Sequence, residues 1–113
     1  MGTTLDFDSY GQALDPEYQE VAETERDFQQ AIVDLAHLKG WYVYHTYDSR
    51  RSAAGWPDLV LLRPPRIIIA EVKSAKGRLR TAQRDVLQML DGCDIETHVW
   101  RPADWPAIAR SLD

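Results

Sequence analysis

Apolar residues along this chain alternate between helix-like and strand-like spacing. Tyr18, Val21, Ala22, Phe28, Ile32, Leu35 and Ala36 recur on a 3.6-residue period and predict one buried helical stripe. Asp15-Pro16 offers an N-cap followed by a proline at the first helical position, and Gly40 a stop, so the pattern predicts a helix over 16–39. Trp41 to Tyr47 is rich in aromatic and β-branched residues and predicts a strand, followed by a polar loop from Asp48 to Trp56. Asp58–Leu62 and Ile67–Lys73 are short aliphatic runs separated by Arg63-Pro64-Pro65-Arg66, which predicts a hairpin. Both alternating faces of each run are apolar, so these strands are expected to be central, with helices above and below.

Beyond a basic loop, Ser74–Arg78, the helical stripe returns at Leu79, Ala82, Val86, Leu87 and Leu90, with Gly92 past its end. Ile95–Trp100 predicts a fourth strand, and Asp104-Trp105-Pro106 opens a terminal helix to about Leu112. The expected order is αβββαβα, an α/β layer architecture with a central mixed sheet. Residues 1–15 lack periodicity and are expected to form a flexible or loosely docked acidic arm ahead of a single domain, 16–113.

With 113 residues the chain can bury one moderate core and no more. A single cysteine, Cys93, excludes an intramolecular disulfide and a structural zinc set, and fits a reducing, cytoplasmic setting. No run is long enough to span a membrane, the Met-Gly start lacks the Ser or Thr that myristoylation needs at Asp6, and no Walker A or GxGxxG loop suggests a nucleotide cofactor. The net charge of -5 hides an asymmetry. Residues 1–34 hold nine acids and one base, whereas 35–90 hold ten bases and four acids. A local basic surface of that kind attracts polyanions even on an acidic protein.

Three polar residues break the apolar pattern: Glu25 and Gln83 on helical stripes, and Glu71 at the end of an aliphatic strand. Buried carboxylates need a cation, so Glu25 and Glu71 each require a partner. In Glu71-Val72-Lys73 the Glu and Lys leave the same strand face. If the hairpin turns about Pro64-Pro65, residues whose numbers add to 129 lie opposite, which brings Asp58 to Glu71. Two prolines cannot form a two-residue primed turn, leaving room for slippage, but Asp58 stays near Glu71 in either register.

Two carboxylates and one ammonium suit phosphodiester hydrolysis, in which hard oxygen ligands hold Mg²⁺ or Mn²⁺ and the lysine stabilises developing charge. The same spacing also suits a buried Lys–Glu ion pair with Asp58 capping a turn, and spacing alone favours that blander arrangement. His37, His45 and His98 are dispersed and fit surface or core positions. Trp41 and Trp100 fit the core, and Trp56 a cover over the site.

Pro57-Asp58 followed by Glu71-Val72-Lys73 matches the PD-(D/E)xK nuclease signature. Together with Gly40-Trp41, Ser52 to Gly55, Leu59-Val60, Ser74 and Gln83, the run over about 24–102 resembles the VRR-NUC (virus-type replication-repair nuclease) domains, themselves similar to archaeal Holliday-junction resolvases. The resemblance implies a restriction-endonuclease-like αβββαβ core and a metal-dependent endodeoxyribonuclease acting on branched DNA as a homodimer. It implies that Asp58 and Glu71 bind the metal with the Val72 carbonyl, that Lys73 is the catalytic lysine, that Glu25 is the first-helix acid, also a metal ligand, and that Gln83 lines the site. Arg50, Arg51, Lys76, Arg78, Arg80 and Arg84 are placed to contact DNA phosphates. A stand-alone domain of this kind suggests a phage or mobile element. Two rival functions are a non-catalytic nucleic-acid-binding module and an adaptor whose acidic first 34 residues bind a basic partner.

Overall fold

A computed structural model of the chain describes residues 24–46 and 53–113. Its elements are α1 (Glu25–Leu38), β1 (Tyr42–His45), β2 (Leu59–Arg63), β3 (Arg66–Val72), α2 (Thr81–Asp91), β4 (Glu96–Trp100), a 3-10 turn at Pro102–Asp104 and α3 (Trp105–Ser111). The strands form one sheet in the order β1-β2-β3-β4, antiparallel except for the parallel β3–β4 pair. This mixed sheet between helices, with an added C-terminal helix, is the restriction-endonuclease-like architecture. No helix among the described residues is long and apolar enough to cross a membrane.

The helix expected over 16–39 starts later. Thr24 has extended backbone, φ -62° and ψ 150°, and its hydroxyl accepts the Asp27 N–H, so it is the N-cap and α1 begins at Glu25. A threonine whose side chain captures an N3 amide competes with helix continuation, which the apolar stripe does not register. The expected start at Asp15-Pro16 lies outside the described residues, as do the arm 1–15, the end of the first predicted strand at Tyr47, and the loop positions Asp48 to Ser52. At the other end Gly40, with φ +86°, terminates α1 as predicted and turns the chain into β1.

Hairpin register follows the sequence expectation: Leu59 lies opposite Ala70 and Arg63 opposite Arg66. The two-proline turn, whose Pro64–Pro65 peptide bond is cis, leaves that register unshifted. One sheet face, carrying Leu59, Leu61, Ile68, Ala70, Val72 and Trp100, packs on Phe28, Ile32, Val33 and Ala36 of α1 and Ile108 of α3 in the main core. Trp41 and Trp100 are both buried there. The other face carries Ile69 and Glu71, and α2 turns Gln83, Leu87 and Leu90 inward.

Cover on that second face is partial, which corrects the expectation that both central strands are enclosed. All five residues from Ile68 to Val72 are buried in β3, but Leu62 of β2 is exposed, as are its neighbours Tyr42 and Tyr44 on β1. One short helix, α2, spans only the β3–β4 half.

Candidate active site

The site grows out of the place where the β2–β3 ladder stops. Regular pairing ends at Leu59 and Ala70. Two positions further, past Asp58 and Glu71, the count along both strands puts Pro57 opposite Val72. Lys73 donates its N–H to the Trp100 carbonyl of β4, so Val72, one residue back, turns its own N–H and C=O toward β2. Proline has no N–H to give that carbonyl. The Val72 N–H instead donates to Asp58 Oδ2 at 2.9 Å, and the Pro57 carbonyl accepts the Thr46 hydroxyl at 3.3 Å. Asp58 is thereby pinned beside Glu71, and Pro57 offers no N–H to the Val72 carbonyl.

Glu71 is 2% exposed and Lys73 8%, and both leave the same strand face, with Lys73 Nζ 3.6 Å from Glu71 Oε2. Burial, followed by the neighbouring Asp58 charge, pushes the Glu71 carboxyl up to about 7 against the opposing pull of Lys73. Among the described residues the pocket thus holds more negative charge than the Lys73 ammonium offsets. Its ligand atoms are two carboxylates with the Val72 carbonyl beside them, all hard oxygens, which is the chemistry a divalent magnesium-like cation takes. The residues present fit such an ion.

Gln83 explains its own place on an apolar stripe. As the third residue of α2, its Oε1 accepts the Arg80 N–H at 2.8 Å, the backward half of a capping box. That bond fixes the amide's orientation, so Nε2 must face Glu71, where it donates to Oε2 at 2.9 Å. One glutamine therefore caps α2 and holds one oxygen of Glu71.

Glu25 is placed differently. It is exposed at the first position of α1, in an acid-bearing turn that favours the helix N-terminus. Because α1 runs back along β1, Glu25 lies toward the site end of the sheet, but on the layer opposite Glu71. Among the described residues no group of three His, Cys, Asp or Glu side chains is gathered closely enough to hold a metal. The structure thus brings together Asp58, Glu71, Lys73 and Gln83, and not Glu25. Lys76, Arg78, Arg80 and Arg84 are all exposed, Arg84 in a groove with Asp91, Thr97 and His98, and none pairs with a carboxylate among the described residues. Arg50 and Arg51 lie outside the described residues.

Arg101 was missed from sequence. Its guanidinium donates to the Ser74 carbonyl at 2.8 Å and the Gly77 carbonyl at 2.6 Å, tying down the loop that follows Lys73 and carries Lys76. A lone arginine after a strand gives no periodic signal, since its partners are backbone oxygens more than twenty positions away. His98 stacks on Trp100 with ring centroids 5.3 Å apart, and burial lowers its pKa.

A carboxylate pair and a lysine at the splayed end of a mixed sheet, braced by a helix glutamine, define a nuclease-type centre. Comparison with known families agrees: the VRR-NUC domain matches residues 9–104, and the chain belongs to that family of nuclease domains. DNA is accordingly its substrate class. No curated protein and no solved structure matches the chain.

Proposed function

We propose that the protein is a divalent-metal-dependent endodeoxyribonuclease that cuts branched DNA as a homodimer. The observation that carries the metal dependence is the charge at the ladder's end: a buried carboxylate pushed up to about 7 beside a second carboxylate that is fixed by the Val72 N–H. Asp58, Glu71 and the Val72 carbonyl would hold Mg²⁺ or Mn²⁺. The chemistry supplied by a bound cation is the activation of water and the withdrawal of charge from the scissile phosphate.

The chain's own residues do the rest. Asp58, locked by the Val72 N–H, presents its other oxygen without rotamer search. Gln83 donates to Oε2 of Glu71 and so orients that carboxyl group as a ligand. Lys73, held within reach of Glu71, offers its protons to the attacking water or to the phosphate oxygens. Exposed Lys76, Arg78, Arg80 and Arg84 draw the DNA backbone to this end of the sheet.

Branched substrate and dimer rest on family likeness and on a symmetry requirement: cutting two strands of a junction needs two sites, and the chain supplies one. The exposed Tyr42, Tyr44 and Leu62 offer an apolar surface for a second copy, and sedimentation in solution checks the assembly.

The test is cleavage of labelled four-way junction, flap, nicked, single-stranded and linear duplex DNA with Mg²⁺, Mn²⁺ or EDTA, for wild type and Lys73→Ala. The reading expects metal-dependent cutting, greatest on branched DNA, reduced by at least about 10³-fold in the variant. DNA binding without cutting by either protein would move the chain to a non-catalytic binding module.

A further inference from the structure

Gly40 and Gly55 share one backbone conformation, φ +86°, and differ in what surrounds them. A Cβ on Gly40 would meet nothing within 4 Å. A Cβ on Gly55 would lie 2.3 Å from the Ala82 carbonyl oxygen, 2.5 Å from its carbon and 3.0 Å from the Gln83 backbone nitrogen. The segment that leads through Trp56 and Pro57 to Asp58 therefore rests directly on the peptide unit joining Ala82 to Gln83. Every atom in that contact is backbone, so no rotamer change could relieve a side chain placed there.

Gln83 is the residue whose amide holds Glu71, with its own orientation fixed by Arg80. A single close approach thus links the two acids: Asp58 stands three residues beyond Gly55, and Glu71 is reached through Gln83. We infer that Gly55 is a positioning residue for the carboxylate pair, seating the first turn of α2 low enough for the Gln83 amide to reach Glu71. Restoring ordinary contact around a Cβ requires the helix turn to retreat by about 1 Å. A shift of that size carries a 2.9 Å hydrogen bond past the usual limit of about 3.2 Å.

The structural part of this inference stands on geometry alone, and only its catalytic consequence rests on the metal-site reading above. Gly40 supplies the matched control, because substitution there imposes the same backbone strain without the approach. The side-chain amide signals of Gln83, assigned with Gln83→Met, are recorded in metal-free Gly55→Ala and Gly40→Ala. Gly55→Asn and Gly40→Asn repeat the comparison with a residue that tolerates positive φ.

The expected result is a Gln83 amide moved toward free-amide shifts in both Gly55 variants and unmoved in both Gly40 variants. Mn²⁺ titration then shows affinity reduced about 10-fold or more in the Gly55 variants alone, with kcat lowered and KM for DNA within about twofold of wild type. An unmoved Gln83 amide in Gly55→Ala or Gly55→Asn overturns the proposal, as does an equal movement in the Gly40 pair. If both Gly55 variants fail to fold while the Gly40 pair folds, Gly55 is a folding determinant and the proposal is equally overturned. A moved amide in a protein whose wild type neither binds Mn²⁺ nor cuts DNA would leave the positioning intact and remove the nuclease reading.

Discussion

The two ends of the β2–β3 hairpin treat charge in opposite ways. At the proline turn, Arg66 makes two hydrogen bonds to Glu96, at 2.8 and 2.9 Å, and the guanidinium beside it holds the Glu96 carboxyl below the usual carboxylate range. Arg63 donates to the carbonyls of Lys39, Leu112 and Asp113 and lies 4.6 Å from the Trp41 ring centroid, while Lys39 pairs with Asp113. Every cation there has its acceptors. At the open end, among the described residues, Lys73 pairs with Glu71 alone, and burial with the Asp58 charge pushes Glu71 up to about 7. The turn end uses its charges to close the fold, and the open end keeps a deficit that a cation can fill.

The comparison breaks most decisively at Glu71. Glu71→Gln should lower cutting by at least about 10³-fold, since a neutral amide cannot replace a metal-binding carboxylate. The same change should stabilise the metal-free protein at alkaline pH. With its folded-state pKa raised from 4.5 to about 7, Glu71 binds its proton more tightly when folded, so its contribution to stability is whole below pH 4.5 and is lost as pH rises through 7. Wild type should therefore lose on the order of 2 kcal/mol between pH 5 and pH 8 relative to Glu71→Gln in metal-free urea titrations. A flat difference across that range would show that the open end carries no electrostatic deficit.

Gln83→Met keeps the volume and removes the donor. Mn²⁺ affinity should fall about 10- to 100-fold, the range for residues that orient a metal ligand from behind, and calorimetric titration measures it. Glu25→Gln should change cutting by less than about threefold, because the side chain is exposed on the opposite layer. A larger loss in steady-state rate would place it at the metal after all.

Smallest of all should be Arg66→Ala. Its pair with Glu96 is about a third exposed on each side, so thermal unfolding should record a loss of no more than about 1 kcal/mol, and cutting should be unchanged. An activity change there would mean that the two ends communicate through the hairpin.

Sequence exposed a good part of this. Period-2 alternation and the turn position placed Asp58 beside Glu71, because strand register is arithmetic once a hairpin is recognised. Gln83 announced itself as the polar member of an apolar stripe. Glu25 met the same criterion and is exposed, since a stripe shows which side of a helix is apolar and not where along its axis the sheet begins. Thr24 shows the same limit: a single hydroxyl bonded three residues ahead fixes where a helix begins without disturbing its periodicity. Arg101 and the approach of Gly55 to Ala82 left no local trace, because each depends on which backbone atoms the tertiary fold delivers.

The missing rung between Pro57 and Val72 also bears on how the molecule avoids its own kind. A strand that outruns its neighbour presents an unpaired N–H and C=O, the template on which foreign strands add and aggregates begin. Here Asp58 has already taken the N–H, and an intruding chain would meet the Asp58 and Glu71 carboxylates, which repel any carbonyl brought against them. The residues that keep this end of the sheet open to a small cation thereby keep it shut to another polypeptide.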